Sequence, residues 1–62
     1  MLIVESKSLT TYVALLKCDD IHQAEIAQTH IRNLGYSNIN IVSGGDYSNL
    51  NVPHFNEYVW ND

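Results

Sequence analysis

The chain has 62 residues, with three basic side chains against seven acidic ones and a formal net charge of −4. That balance argues against direct nucleic-acid binding, because electrostatic binding to phosphates needs clustered lysines and arginines. Cys18 is the single cysteine, so no disulfide can form within the chain, and the apolar run Leu2–Ile3–Val4 is far shorter than the ~20 residues that span a bilayer. We expect one small domain over residues 1–62, in the cytoplasm, with no membrane contact and a reduced thiol.

Two segments near the N-terminus predict β-strands. Residues 2–5 form a short apolar run, and residues 10–17 are richer in strand-forming side chains. The second segment is apolar on both of its alternating faces, with Tyr12, Ala14 and Leu16 on one and Val13 and Leu15 on the other. A strand of that kind is covered on both sides, so we expect it to lie centrally in the sheet.

Residues 21–34 predict an amphipathic helix. Asp20 is placed as its N-cap, with Gln23 in the position of a capping-box partner. Gly35 is placed as the glycine that ends it. The apolar side chains that recur at intervals of three and four, and so face the sheet, are Ala24, Ala27, Ile31 and Leu34.

The second half of the chain alternates between strand and turn signals. Residues 38–46 read as a half-buried strand closed by a glycine turn, and residues 47–54 as a loop. Residues 55–60 read as a last strand, in which Tyr58 and Trp60 share one face.

These elements predict an α+β fold, with a single helix packed on one face of a small three- or four-stranded mixed sheet in ββαββ order. A strand-helix-strand unit favours a right-handed crossover, so the second and third strands should run parallel or nearly so.

One helix covers only one face of such a sheet, which leaves the other face apolar. An uncovered apolar face often marks a contact site, and tyrosine and tryptophan are enriched in interface hot spots. Tyr58 and Trp60 are therefore predicted partner-binding residues. The alternative is that the loop over residues 47–54 folds across this face as a lid, using Leu50 and Val52.

The outer surface of the predicted helix offers a second contact site. His22 and His30 are eight residues apart, which separates them by about 12 Å along the helix. One metal ion cannot bridge that distance, and Ile26 holds the position at which a second ligand would have to stand. Ile26 should point away from the sheet, as the apolar centre of a surface with the two histidines at its rim.

Catalytic chemistry has little support in the sequence. Cys18 and His22 have the spacing of a nucleophile and its base, but Asp19 and Asp20 oppose ionisation of the thiol. We expect no catalytic activity, no cofactor, no metal ion and no small-molecule substrate.

The remaining hypothesis is a non-catalytic protein-binding module that acts by occupancy, as a small inhibitor, an adaptor or an accessory protein, including a viral one. Its partner would be another protein or copies of itself, and its partner-binding residues would be Tyr58, Trp60, Ile26, His22 and His30. Two alternatives stay open, namely a minor structural subunit of a homo-oligomer or larger assembly, and an acidic mimic of nucleic acid.

Overall fold

The computed structural model describes residues 1–9 and 11–58. It has three strands, one α-helix and two short 3-10 helices in these ranges. In chain order they are β1 (Leu2–Ser8), β2 (Thr11–Cys18), α1 (Ile21–Asn33), β3 (Ile39–Ser43) and the 3-10 helices Gly44–Tyr47 and Phe55–Glu57. The α+β class is as predicted.

The sheet is antiparallel, with the strand order β2-β1-β3. The predicted mixed sheet is therefore wrong. β2 and β3 do run in the same direction, since each is antiparallel to β1, but they are not neighbours. β1 separates them and pairs with both.

The sequence suggested that β2 is the central strand, but β1 takes the central position. Ile3 and Val4 are adjacent in β1, point to opposite faces and are both fully buried. In β2, by contrast, the first three residues are exposed and burial begins only towards its C-terminal end. The short apolar run of β1 is thus the strand that is covered on both faces.

The helix begins and ends where the capping residues predict. The Asp20 carboxylate accepts a hydrogen bond from the Gln23 N–H at 2.9 Å, and Gln23 accepts one from the Asp19 N–H at 2.7 Å. Gly35, at φ 101°, donates to Arg32, and the next residue's N–H bonds to the Ile31 carbonyl, which completes a Schellman ending. No helix within the described ranges is long and apolar enough to cross a membrane.

The predicted last strand is wrong where the structure describes it. Residues Phe55–Glu57 form a 3-10 helix, and the His54 ring accepts a hydrogen bond from the Asn56 N–H at its start. That side-chain cap favours a turn over an extended chain. Trp60, which the strand would have aligned with Tyr58, lies outside the described residues.

Both faces of the sheet are covered, by different parts of the chain. Helix α1 packs on one face, where the buried core comprises Val4, Leu16, Cys18, Ala24, Ala27 and Ile31. On the other face, Tyr47 and Val52 from the loop after β3 pack against Ile3. The lid is therefore present, but Leu50 is not part of it, since 55% of its surface is exposed.

Candidate functional site

The outward side of α1 carries three of the residues that the sequence marks as a contact surface. His22, Ile26 and His30 are all exposed, and Ile26 keeps 51% of its surface accessible to solvent. Because successive members are four residues apart, the three form one stripe along the helix. The side chain of Ile26 therefore points away from the sheet, as the helical pattern predicts.

The C-terminal segment is held against the outer edge of β2. The Lys17 N–H donates to the Pro53 carbonyl at 2.9 Å, and Lys17 and His54 form a single parallel bridge. His54 Nε2 lies 2.9 Å from a carboxylate oxygen of Asp19, while its Nδ1 accepts from the Asn56 N–H at 3.3 Å. Since Nδ1 is an acceptor, the ring proton stands on Nε2 and is donated to Asp19.

This arrangement brings Phe55 to the helix. The rings of His30 and Phe55 are in contact, with centroids 5.8 Å apart and planes tilted by 43°. The Tyr58 N–H donates to the Phe55 carbonyl at 3.2 Å, and 42% of the surface of Tyr58 is exposed. We call Ile26, His30, Phe55 and Tyr58 the helix–aromatic surface.

The structure thus joins two regions that the sequence presents as separate contact sites. His30 contacts Phe55, whose carbonyl accepts from the Tyr58 N–H, and Ile26 and His22 continue the stripe from His30 towards the start of the helix. Phe55 was missed, because a strand over residues 55–60 places it on the face opposite Tyr58. Only the contact between Phe55 and His30, two residues 25 positions apart in the sequence, reveals its role.

A polar cluster lies beneath the lid on the second face of the sheet. The Tyr47 hydroxyl donates to the carboxylate of Glu5, which is buried in the central strand. The Tyr12 hydroxyl lies 3.0 Å from the same Tyr47 oxygen, and the two rings meet edge to face. The ammonium group of Lys7 stands 4.5 Å above the Tyr12 ring. The cluster fastens the lid to the sheet through the one charge that β1 buries.

A β-bulge brings Tyr12 into this cluster. Ser6 pairs with Ala14 and Lys7 pairs with Tyr12, so Val13 is an extra residue in β2. The extra residue reverses the alternation, which moves Tyr12 from the helix side to the lid side. Simple alternation along β2 therefore predicts the wrong face for this tyrosine.

Two buried groups are held in their protonated forms. Burial, followed by the charges of Asp19 and Asp20, raises the pKa of the Cys18 thiol from 9.0 to about 11. The hydrogen bond to Glu5, followed by that to Tyr12 and by burial, raises the pKa of Tyr47 well above its ordinary value of 10.0. A fully buried, protonated thiol is a poor nucleophile, so Cys18 acts as a core residue.

These two shifts predict alkaline sensitivity. A group whose pKa is raised by folding stabilises the folded state fully below its ordinary pKa, and that contribution is lost as the pH rises through the folded pKa. The free energy of unfolding should therefore decline from about pH 9 upward, first through Cys18 and then through Tyr47. Urea titrations at a series of pH values measure this, and a curve that stays flat above pH 9 would contradict both assignments.

Among residues 1–9 and 11–58, no group of three or more His, Cys, Asp or Glu side chains is placed to hold a metal ion. The same part of the chain encloses no cavity for a small molecule.

Comparison with models of known protein families, with curated proteins and with solved structures found no match. The function proposed below therefore depends on the geometry and chemistry of the described residues.

Proposed function

We propose that this protein is a non-catalytic protein-binding module that acts by occupancy, and that another protein docks on its helix–aromatic surface. The observation that carries the proposal is the contact between His30 and Phe55, which joins an exposed helix stripe to an aromatic segment. An inhibitor, an adaptor or an accessory protein would act in this way, by covering a surface of its partner.

The composition of the surface supports this role. Ile26 supplies an exposed apolar side chain one turn from His30, His30 contacts the Phe55 ring, and Tyr58 supplies a second, exposed aromatic ring three residues after Phe55. Aromatic side chains lose little conformational entropy on binding and recur in interface hot spots. The surface rests on a capped helix and on a segment tied to β2, so the partner meets a preorganised site and little ordering entropy is lost.

Charge narrows the class of partner. The exposed carboxylate of Asp19 accepts from His54 at one end of the C-terminal segment, and Glu57 is exposed within it. With a net charge of −4, the chain attracts a partner whose rim is basic and disfavours an acidic one. We therefore propose a protein with an apolar patch edged by lysine or arginine, and we place the encounter in the cytoplasm, where Cys18 stays reduced.

Affinity capture with matched variants tests the proposal. Ile26→Gln removes the apolar centre but keeps a good helix former, so we expect it to lower recovery of the partner from an extract of the native host at least tenfold. Leu50→Gln is the control, because it makes the same kind of change at an equally exposed apolar residue on the lid side. Both variants should keep the melting temperature of the wild type.

Equal recovery by wild type, Ile26→Gln and Leu50→Gln would contradict the assignment of the surface. Trp60→Ala belongs in the same experiment, because Trp60 is a predicted contact residue that lies outside the described residues. Loss of the partner with both Ile26→Gln and Trp60→Ala would extend the helix–aromatic surface to the C-terminus.

A further inference from the structure

The outer edge of β3 presents unpaired backbone groups. The Lys7 N–H donates to the Asn38 carbonyl at 3.5 Å, and the Gly44 N–H donates to the Met1 carbonyl at 3.1 Å. Even-numbered residues from 38 to 44 therefore direct their backbone groups towards β1. Since alternate residues of a strand point opposite ways, Ile39, Ile41 and Ser43 direct theirs outward. The Ser43 carbonyl accepts the first hydrogen bond of the 3-10 helix Gly44–Tyr47, and no other backbone hydrogen bond to these outward groups exists in the described part of the chain.

The two edges of the sheet differ in the features that block pairing with another strand. On β2, the outward N–H of Lys17 is bonded to Pro53, and a bulge at Val13 interrupts the edge. Bulges, prolines and lysines are the usual means by which natural proteins block pairing at a sheet edge. The edge of β3 has none of them, and residues 33–45 contain neither a charge nor a proline.

We propose that the β3 edge pairs with the β3 edge of a second copy of this chain. A two-fold axis through the level of Ile41 places Ile41 opposite its equivalent and Ile39 opposite Ser43 of the other copy. The outward residues are symmetric about Ile41, so each outward N–H meets an outward carbonyl of the other strand. The product is a continuous six-stranded antiparallel sheet with both α1 helices on the same face.

Side chains and charge favour a second copy over an unrelated strand. Ile39 and Ile41 are half-buried and pack against the core beneath α1, so pairing brings these isoleucines together and extends that core across the two-fold axis. Two chains of net charge −4 repel each other, and residues 33–45 at this edge carry no charged side chain that would add a local repulsion between the two copies. A domain of this size also gains stability by association.

This contact is separate from the proposed function. The C-terminal segment that carries Phe55 lies beyond β2, at the opposite edge of the sheet from β3. A dimer paired through β3 leaves the helix–aromatic surface exposed in both copies. It would present two such surfaces to a partner.

Sedimentation equilibrium over a range of concentrations tests the pairing. The wild type should rise from 7.0 kDa towards twice that mass as the concentration approaches about 1 mM. Ile41→Pro removes an outward N–H without touching the bonds to β1, and it should weaken association at least tenfold. Asn40→Lys provides an edge lysine as a second variant, and Asn51→Lys is its control, with the same charge change at an exposed loop residue.

Amide hydrogen exchange locates the contact. Exchange at Ile39, Ile41 and Ser43 should slow at least tenfold between dilute and concentrated wild-type protein, while exchange at Leu15, on the β2 edge, stays constant. A wild type that remains at 7.0 kDa, or a dimer that is insensitive to both Ile41→Pro and Asn40→Lys, would overturn the proposal.

Two further outcomes would also overturn the pairing through β3, and each can be told apart from a failure of the proposed function. A dimer abolished by Ile26→Gln would place self-association on the helix–aromatic surface. A monomeric wild type whose captured partner is lost with Ile41→Pro would assign the edge to a foreign strand. If instead the dimer forms through β3 while Ile26→Gln leaves capture unchanged, this inference stands and the proposed function fails.

Discussion

Ile31→Ala is expected to lower the free energy of unfolding by about 2 to 4 kcal/mol. Ile31 lies on the sheet-facing side of α1 and is almost fully buried, in the same core cluster as Val4 and Leu16. Removing its outer atoms loses their transfer from water and leaves a cavity that the rigid sheet does not fill. A domain of 62 residues has a total stability of about 3 to 9 kcal/mol, so this loss is a large part of the whole.

Ile26→Ala is the matched control, because it makes the same chemical change five residues earlier on the same helix. Half of the surface of Ile26 is in water, so we expect the free energy of unfolding to stay within about 0.5 kcal/mol of the wild type. Urea titration of the two variants measures the difference. Similar losses from both would mean that Ile26 is packed against the rest of the chain and is not available to a partner.

Tyr47→Phe is expected to cost about 2 to 3 kcal/mol, although it removes only one oxygen atom. That oxygen is the donor to the Glu5 carboxylate, which is 7% exposed in the central strand. Without it, the buried charge loses its hydrogen bond and cannot regain full contact with water. A buried acceptor left without its partner loses more stability than the hydrogen bond itself contributes.

The double variant Tyr47→Phe with Glu5→Leu separates this cause from a packing defect. Replacing both partners by apolar side chains removes the unpaired charge, so the double variant should return to within about 1 kcal/mol of the wild type. If the double variant is less stable than Tyr47→Phe alone, the carboxylate is not the source of the loss. The double variant should also lack the part of the alkaline decline that Tyr47 contributes.

Ile31 and Tyr47 stabilise the packing on opposite faces of the sheet. Ile31 holds α1 against the sheet and so fixes the orientation of Ile26. Tyr47 holds the lid over the second face, so among the described residues the helix–aromatic surface and the outer edge of β3 remain as candidate contact sites. The proposed binding function depends on the packing of α1, and the proposed pairing of two copies leaves the packing on both faces of the sheet intact.

The helix was predictable because its signals are local. Asp20, Gln23 and Gly35 act on backbone groups within a few residues of themselves, so their hydrogen bonds follow from spacing alone. The same periodicity places Ala24 and Ile31 inside. Leu34 is the exception, since it is the C-cap residue and is exposed, because the helical pattern ends before it.

The three strands of the sheet were predictable, but their order was not, and the predicted strand at residues 55–60 is wrong where it is described. A strand shows in its own residues, whereas pairing is decided between segments far apart in the chain, and alternation of apolar residues does not say which segment is the neighbour. β1 takes the centre because it pairs with β2 through a short turn and with β3 on its other side. The apolar length of β2 pointed to the wrong central strand.

The contact sites, like the sheet, were predictable only in part. The sequence by itself determined a capped helix with Ile26, His22 and His30 on its outward side, and a net charge of −4. Only the tertiary structure decided that Phe55 meets His30, that Tyr47 closes the second face by bonding Glu5 42 residues away, and that no strand within residues 1–9 and 11–58 pairs with the outer edge of β3. The faces of a helix follow from the fixed angle between successive residues. Contacts between distant segments depend instead on which segments of the chain can bury their apolar side chains and pair their backbone groups together.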